Sequence, residues 1–74
     1  MLSEEELKLI SKTAVCEELR VDNLSQDWSY SINRGDTNTQ VLWTGKDRDG
    51  RLRKVSVQVS EPNRKVVHCE EYRV

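Results

Sequence analysis

Three side chains have the chemistry for nucleophilic or metal work: Cys16, Cys69 and the single histidine, His68. A thiol becomes a strong nucleophile when an imidazole takes its proton, and the imidazole then needs an orienting group behind it. His68 and Cys69 are chain neighbours, and neighbours on a strand point to opposite faces, so Cys16 would have to be brought over from another element. No spacing predicts that contact. One histidine and two cysteines also lack a CxxC or HxxxH interval, and a closed zinc site takes four ligands. Neither a Cys/His enzyme, nor a metal centre, nor a cofactor is expected. The two cysteines are too few and too far apart for a disulfide framework and read as small buried thiols.

The remaining charged groups divide into three sets. Glu4 to Glu6, Glu17-Glu18 and Glu70-Glu71 read as solvated acidic faces, not as acid/base pairs. Arg34-Gly35-Asp36 spells the integrin-binding tripeptide, but reads more simply as a glycine-containing turn. The bases are concentrated in the middle of the chain. Residues 1–27 hold seven acids and three bases, a net −4; residues 28–65 hold four acids and eight bases, a net +4; the rest add −1. Lys46, Arg48, Arg51, Arg53 and Lys54 cluster around one turn, and Arg64 and Lys65 stand at the next. Such a group can follow a phosphate backbone, with Trp43 or Tyr30 available for stacking. Asp36, Asp47 and Asp49 interrupt it, and the net charge of the whole chain is −1.

These residues must be positioned by few elements. The sequence has 74 residues, of which 35% are hydrophobic and 34% charged, so it describes one small domain with a thin core. Ser3 and Glu6 form a capping box and Leu2 and Leu7 a hydrophobic staple, predicting a helix over about 3–21. Leu7, Ile10 and Ala14, widened by Val15 and Leu19, make its core-facing stripe. Trp28, Tyr30 and Ile32 alternate with polar residues, as a half-buried strand over about 27–33 does. Further strands are expected over 40–46, 52–60 and 65–74.

The register of the central hairpin is arguable from sequence. A two-residue Asp49-Gly50 loop would set Val41 and Trp43 on the face away from Val55, Val57 and Val59. A type I turn starting at Asp47, with Gly50 as a left-handed bulge, shifts the pairing by one and gathers all five on one face. The bulged turn is therefore expected. In the last strand Val67 and Cys69 fall on one side, and Val66, His68, Tyr72 and Val74 on the other, so alternation does not decide which side is inward.

The expected fold is α+β: one N-terminal helix packed on a three- to four-stranded antiparallel meander sheet. No apolar run is long enough to span a membrane, and the acidic start does not resemble a signal peptide, so a cytoplasmic protein is expected. With no catalytic constellation, the leading expectation is a protein-binding module, a regulator, inhibitor or accessory subunit. A homodimer formed through the sheet would enlarge the thin core. Val66, His68 and Tyr72 are the candidate outer-face contacts. The alternative is nucleic-acid binding through the 46–54 hairpin. The register argument is tested by Trp43→Ala. It should destabilise by about 3–5 kcal/mol in a denaturant melt if the bulged turn holds, whereas a loss under about 1 kcal/mol would place Trp43 on the outer face.

Overall fold

The computed structural model of the protein describes residues 1–72. A helix, α1 (Glu4–Leu19), precedes four strands: β1 (Ser29–Arg34), β2 (Asn38–Lys46), β3 (Leu52–Ser60) and β4 (Lys65–Tyr72). The strands pair antiparallel in chain order, and α1 packs across β4, β3 and β2 on one face. The fold is the expected α+β meander. Arg73 and Val74, the end of the expected last strand, lie outside the described residues.

Both ends of α1 have identifiable stops. The Ser3 hydroxyl accepts from the Glu6 N–H at 3.1 Å, and the Glu6 carboxylate accepts from the Ser3 N–H at 3.1 Å. Leu2 and Leu7, the staple pair, are both buried in the core. At the other end Arg20 adopts the left-handed conformation at φ 58°, and the Val21 N–H reaches the Cys16 carbonyl at 3.0 Å. This is a Schellman-type stop with arginine where glycine is usual.

The helix face differs from the expected stripe at its centre. Leu7, Ser11 and Val15 are fully buried, with Ile10, Ala14 and Leu19 half-buried beside them. Ser11 is polar and escaped the apolar count, yet it sits where the Trp43 indole meets the helix. The Trp43 Nε1 donates to Ser11 Oγ at 2.8 Å, and Ser11 Oγ donates to the Leu7 carbonyl at 2.6 Å. A small hydroxyl therefore makes room for the indole and satisfies its N–H.

The central hairpin has the bulged turn. Asp47 N–H donates to the Arg51 carbonyl, Gly50 N–H to the Asp47 carbonyl, and Gly50 has φ 77°. Val41 pairs with Val57 and Trp43 with Val55, and these four with Val59 form the buried sheet face. Trp43 is 3% exposed.

β4 resolves the undecided alternation by breaking it. His68 pairs with Gln58 but Val66 pairs with Val59, so Val67 is an extra residue in a β-bulge. The bulge turns both Val66 and Cys69 toward the core and leaves Val67 exposed. Val66 is thus corrected from an outer-face contact to a residue packed beneath α1. His68 and Tyr72 keep their outward placement.

Trp28 lies just before β1 and folds over Gly45. Its Nε1 donates to the Lys46 carbonyl at 3.1 Å, and a Cβ on Gly45 would clash with its indole ring. Gly45→Ala should therefore destabilise by about 1–3 kcal/mol in urea unfolding, the range for overpacking a well-filled site. A loss below about 0.5 kcal/mol would show that Trp28 is not held against the strand.

Candidate interaction surface

The expected basic group is divided by the fold. The turn joining β2 to β3 and the turn joining β3 to β4 lie at opposite ends of β3, whose nine residues span about 27 Å. Arg64 and Lys65 are thereby separated from the hairpin tip. Arg64 points back to α1, with its guanidinium 3.4 Å from Glu6. Lys65 is exposed on the outer row with Ser60.

Within the hairpin the bases also diverge. Arg53 turns to the inner side, where it bonds Glu71 through two nitrogens and Asp47 at 2.8 Å. Lys54 lies half-buried on the outer face between Thr44 and Tyr72. Lys46, Arg48 and Arg51 stay exposed at the tip. Asp47 accepts from the Asp49 and Arg51 N–H groups at 2.9 and 3.0 Å, so it both shapes the turn and engages Arg53.

A second polar clasp, which sequence reasoning missed, closes the opposite end. Glu61 accepts from Thr39 Oγ1 at 2.5 Å, from Arg34 Nη1 at 2.7 Å and from the Leu2 N–H at 2.9 Å. Arg34 also donates to the Leu2 carbonyl at 3.0 Å. The Arg34-Gly35-Asp36 tripeptide therefore has its arginine bound within the fold. No local spacing links residues 2, 34, 39 and 61, so only the sheet order reveals the group.

The thiols are placed apart. Cys69 lines a groove between α1 and β4 with Ile10, Ala14 and Val66, while Cys16 lines another with Lys12, Arg20 and Asn23. Both are free, and burial, aided by Glu18 and Glu17, pushes the Cys69 thiol above its usual pKa. His68 is exposed, on the outer row, 3.6 Å from Glu70. Among the described residues no cluster of three or more His, Cys, Asp or Glu is placed to hold a metal ion, and no helix is long and apolar enough to cross a membrane.

The outer sheet face is mostly polar. Its rows run Ser29–Thr44–Lys54–Tyr72, Ser31–Leu42–Ser56–Glu70 and Asn33–Gln40–Gln58–His68. The two edge strands, β1 and β4, contrast more sharply. β4 carries the bulge and the charges of Lys65, Glu70 and Glu71, devices that discourage strand pairing. β1 pairs with β2 without a register shift and has no charge from Ser29 to Asn33.

The direction of the β1 backbone groups follows from the ladder. Gly35 N–H donates to the Asn38 carbonyl, so Gly35 and Asn38 are a hydrogen-bonded pair. Such pairs alternate in an antiparallel ladder, making Ser29, Ser31 and Asn33 the residues bonded to β2. The N–H and C=O groups of Tyr30 and Ile32 consequently face the open edge. No other backbone group bonds to them among the described residues. Their side chains, half-buried, lie at the margin of the helix cover, where Tyr30 stacks on Trp43 at 4.9 Å and donates to Glu4 at 3.3 Å.

The two clasps predict acid sensitivity. Thr39, then Arg34 and the Leu2 N–H, hold the Glu61 carboxyl below its ordinary value of 4.5, Arg53 does the same for Glu71, and Arg53 with the Arg51 and Asp49 N–H groups holds Asp47 below its ordinary 3.8. The unfolded chain then takes up protons first, so the contribution is complete above about pH 4.5 and is lost as pH falls through the lowered native values. The melting temperature should drop below about pH 4.5, with a shallower slope in Glu61→Gln. An unchanged slope in that variant would remove Glu61 from the account. No protein-family model, curated protein or solved structure matches the chain.

Proposed function

We propose that the protein is a small binding module whose partner is another protein, engaged by extension of the sheet at β1. The observation that carries this reading is the open edge of β1: paired to β2 without a register shift, uncharged from Ser29 to Asn33, and offering the backbone groups of Tyr30 and Ile32. An extended segment laid along it gains main-chain hydrogen bonds from those groups. Its alternate side chains meet Tyr30 and Ile32 on the helix side and Ser29, Ser31 and Asn33 on the outer side. The preferred segment therefore alternates apolar with small polar residues and has few charges. Nucleic-acid binding by the hairpin is the weaker reading, because Arg53 is engaged by Asp47 and Glu71 and the exposed bases number three, Lys46, Arg48 and Arg51.

A pair of baits tests the edge. Ile32→Ala removes a side chain but keeps the outward N–H, whereas Ile32→Pro removes that donor without touching the bonds to β2. Proteins captured from lysate by the wild-type bait should persist on Ile32→Ala and disappear on Ile32→Pro. Retention on both variants would reject strand addition at β1.

A further inference from the structure

We infer that the β1 edge also accepts a second copy of this chain, forming a two-fold dimer in which two β1 strands pair antiparallel about Ser31. The inference rests on the reading of β1 as an open edge and names one occupant for it. Three features of this chain select that occupant and that register.

The first is self-complementarity of charge. Like charges placed directly opposite one another destabilise a strand pair, and a two-fold axis sets the strand against its own stretch, with the residue on the axis facing its own copy. Between Trp28 and Asn33 there is no charge to repel. Arg34, which ends the strand, is neutralised by Glu61 at 2.7 Å. β4 would instead bring Glu70 and Glu71 toward their copies, and its bulge interrupts a straight ladder.

The second feature is the backbone phase. The outward groups belong to Tyr30 and Ile32, so these must form the hydrogen-bonded pairs across a new ladder. Centring the axis on Ser31 sets Tyr30 opposite Ile32 of the second copy, and Ile32 opposite its Tyr30. It also sets Ser29 opposite Asn33, Trp28 opposite Arg34, and Ser31 opposite itself in a non-hydrogen-bonded position. Every residue from Trp28 to Arg34 then faces a residue of the same stretch. Moving the axis to Tyr30 or Ile32 leaves Arg34 or Trp28 without an opposite number in it.

The third feature is the uncovered margin of the inner face. α1 packs across β4, β3 and β2, leaving Trp28, Tyr30 and Ile32 half-buried. In this register both inner faces lie on the same side of a continuous eight-stranded sheet. The aromatic–β-branched pairs Tyr30–Ile32 form twice, at the seam, and exclude water from both margins. The same donors would serve a partner segment and a second copy, so self-association and partner capture compete.

Light scattering from micromolar to millimolar chain should show the mass rising to that of a dimer, and Ser31→Lys, which sets two ammonium groups opposite each other, should remain monomeric, with the wild-type melting temperature at concentrations where the wild type is also monomeric. In a Cys16→Ser, Cys69→Ala background, Ser31→Cys should form a disulfide dimer on mild oxidation, because Cα atoms of a non-hydrogen-bonded pair lie about 4.5 Å apart. Ser29→Cys alone should cross-link poorly, but readily when mixed with Asn33→Cys. A wild-type chain that stays monomeric throughout, or a dimer that Ser31→Cys does not trap, overturns the inference. A monomer whose captured partner is still lost on Ile32→Pro would reject the dimer while leaving strand capture standing. A Ser31-linked dimer that binds its partner undiminished would do the reverse.

Discussion

One helix cannot cover four strands, and much of the structure follows from that mismatch. An α-helix with side chains is about 10–12 Å across, while four strands at about 4.8 Å spacing present a wider face. The buried stripe Leu7, Ser11 and Val15 lies over the central valines, and Ile10 and Ala14 lean toward Val66 and Cys69 of β4. The far strand, β1, is left to cover itself. It does so with aromatic rings: Trp28 lies on Gly45, and Tyr30 stacks on Trp43. These contacts secure one side of β1 to the sheet and leave its other side open.

The thin core is supplemented at both ends by polar clasps. Glu61 joins the start of the helix to β1 and β2, and Arg53 joins the hairpin turn to β4. Isolated surface ion pairs contribute little, but Arg53 donates to two carboxylates at once, and Glu61 and Asp47 also accept from main-chain N–H groups. They connect segments far apart in sequence. They also change the meaning of the charge distribution, since Arg34 and Arg53 are engaged by carboxylates within the fold.

The caps of α1 were legible because they are local: Ser3 and Glu6, and Leu2 and Leu7, carry their geometry in intervals of three and five residues. The register of β2 and β3 was legible because a one-residue slip would have moved Val41 and Trp43 to the other face. Three things were not legible, each for a physical reason. Ser11 is polar and was invisible to an apolar count, though its hydroxyl is what the Trp43 indole requires. The bulge at Val67 breaks the two-residue period from which facing is deduced. Glu61 lies 27 residues from Arg34 and Glu71 lies 18 residues from Arg53, so a count of bases could not separate engaged cations from free ones. The neutral stretch from Ser29 to Asn33 was visible throughout, but acquires meaning only when the strand order places it at an edge.

The two edges of this sheet illustrate different responses to one constraint. An unpaired edge offers donors and acceptors that water satisfies only until another strand approaches. β4 answers with a bulge and acidic side chains, which raise the free energy of any strand laid beside it. β1 has neither, and the burial still available to Tyr30 and Ile32 lowers that free energy instead. If a ligand binds only the free edge, its binding stabilises the monomer in proportion to RT ln(1 + [L]/Kd) and draws the dimer apart. Chain concentration and partner concentration then act on the same pair of backbone groups. On the proposed reading, the strand the helix leaves uncovered is the point at which folding, self-association and recognition are coupled.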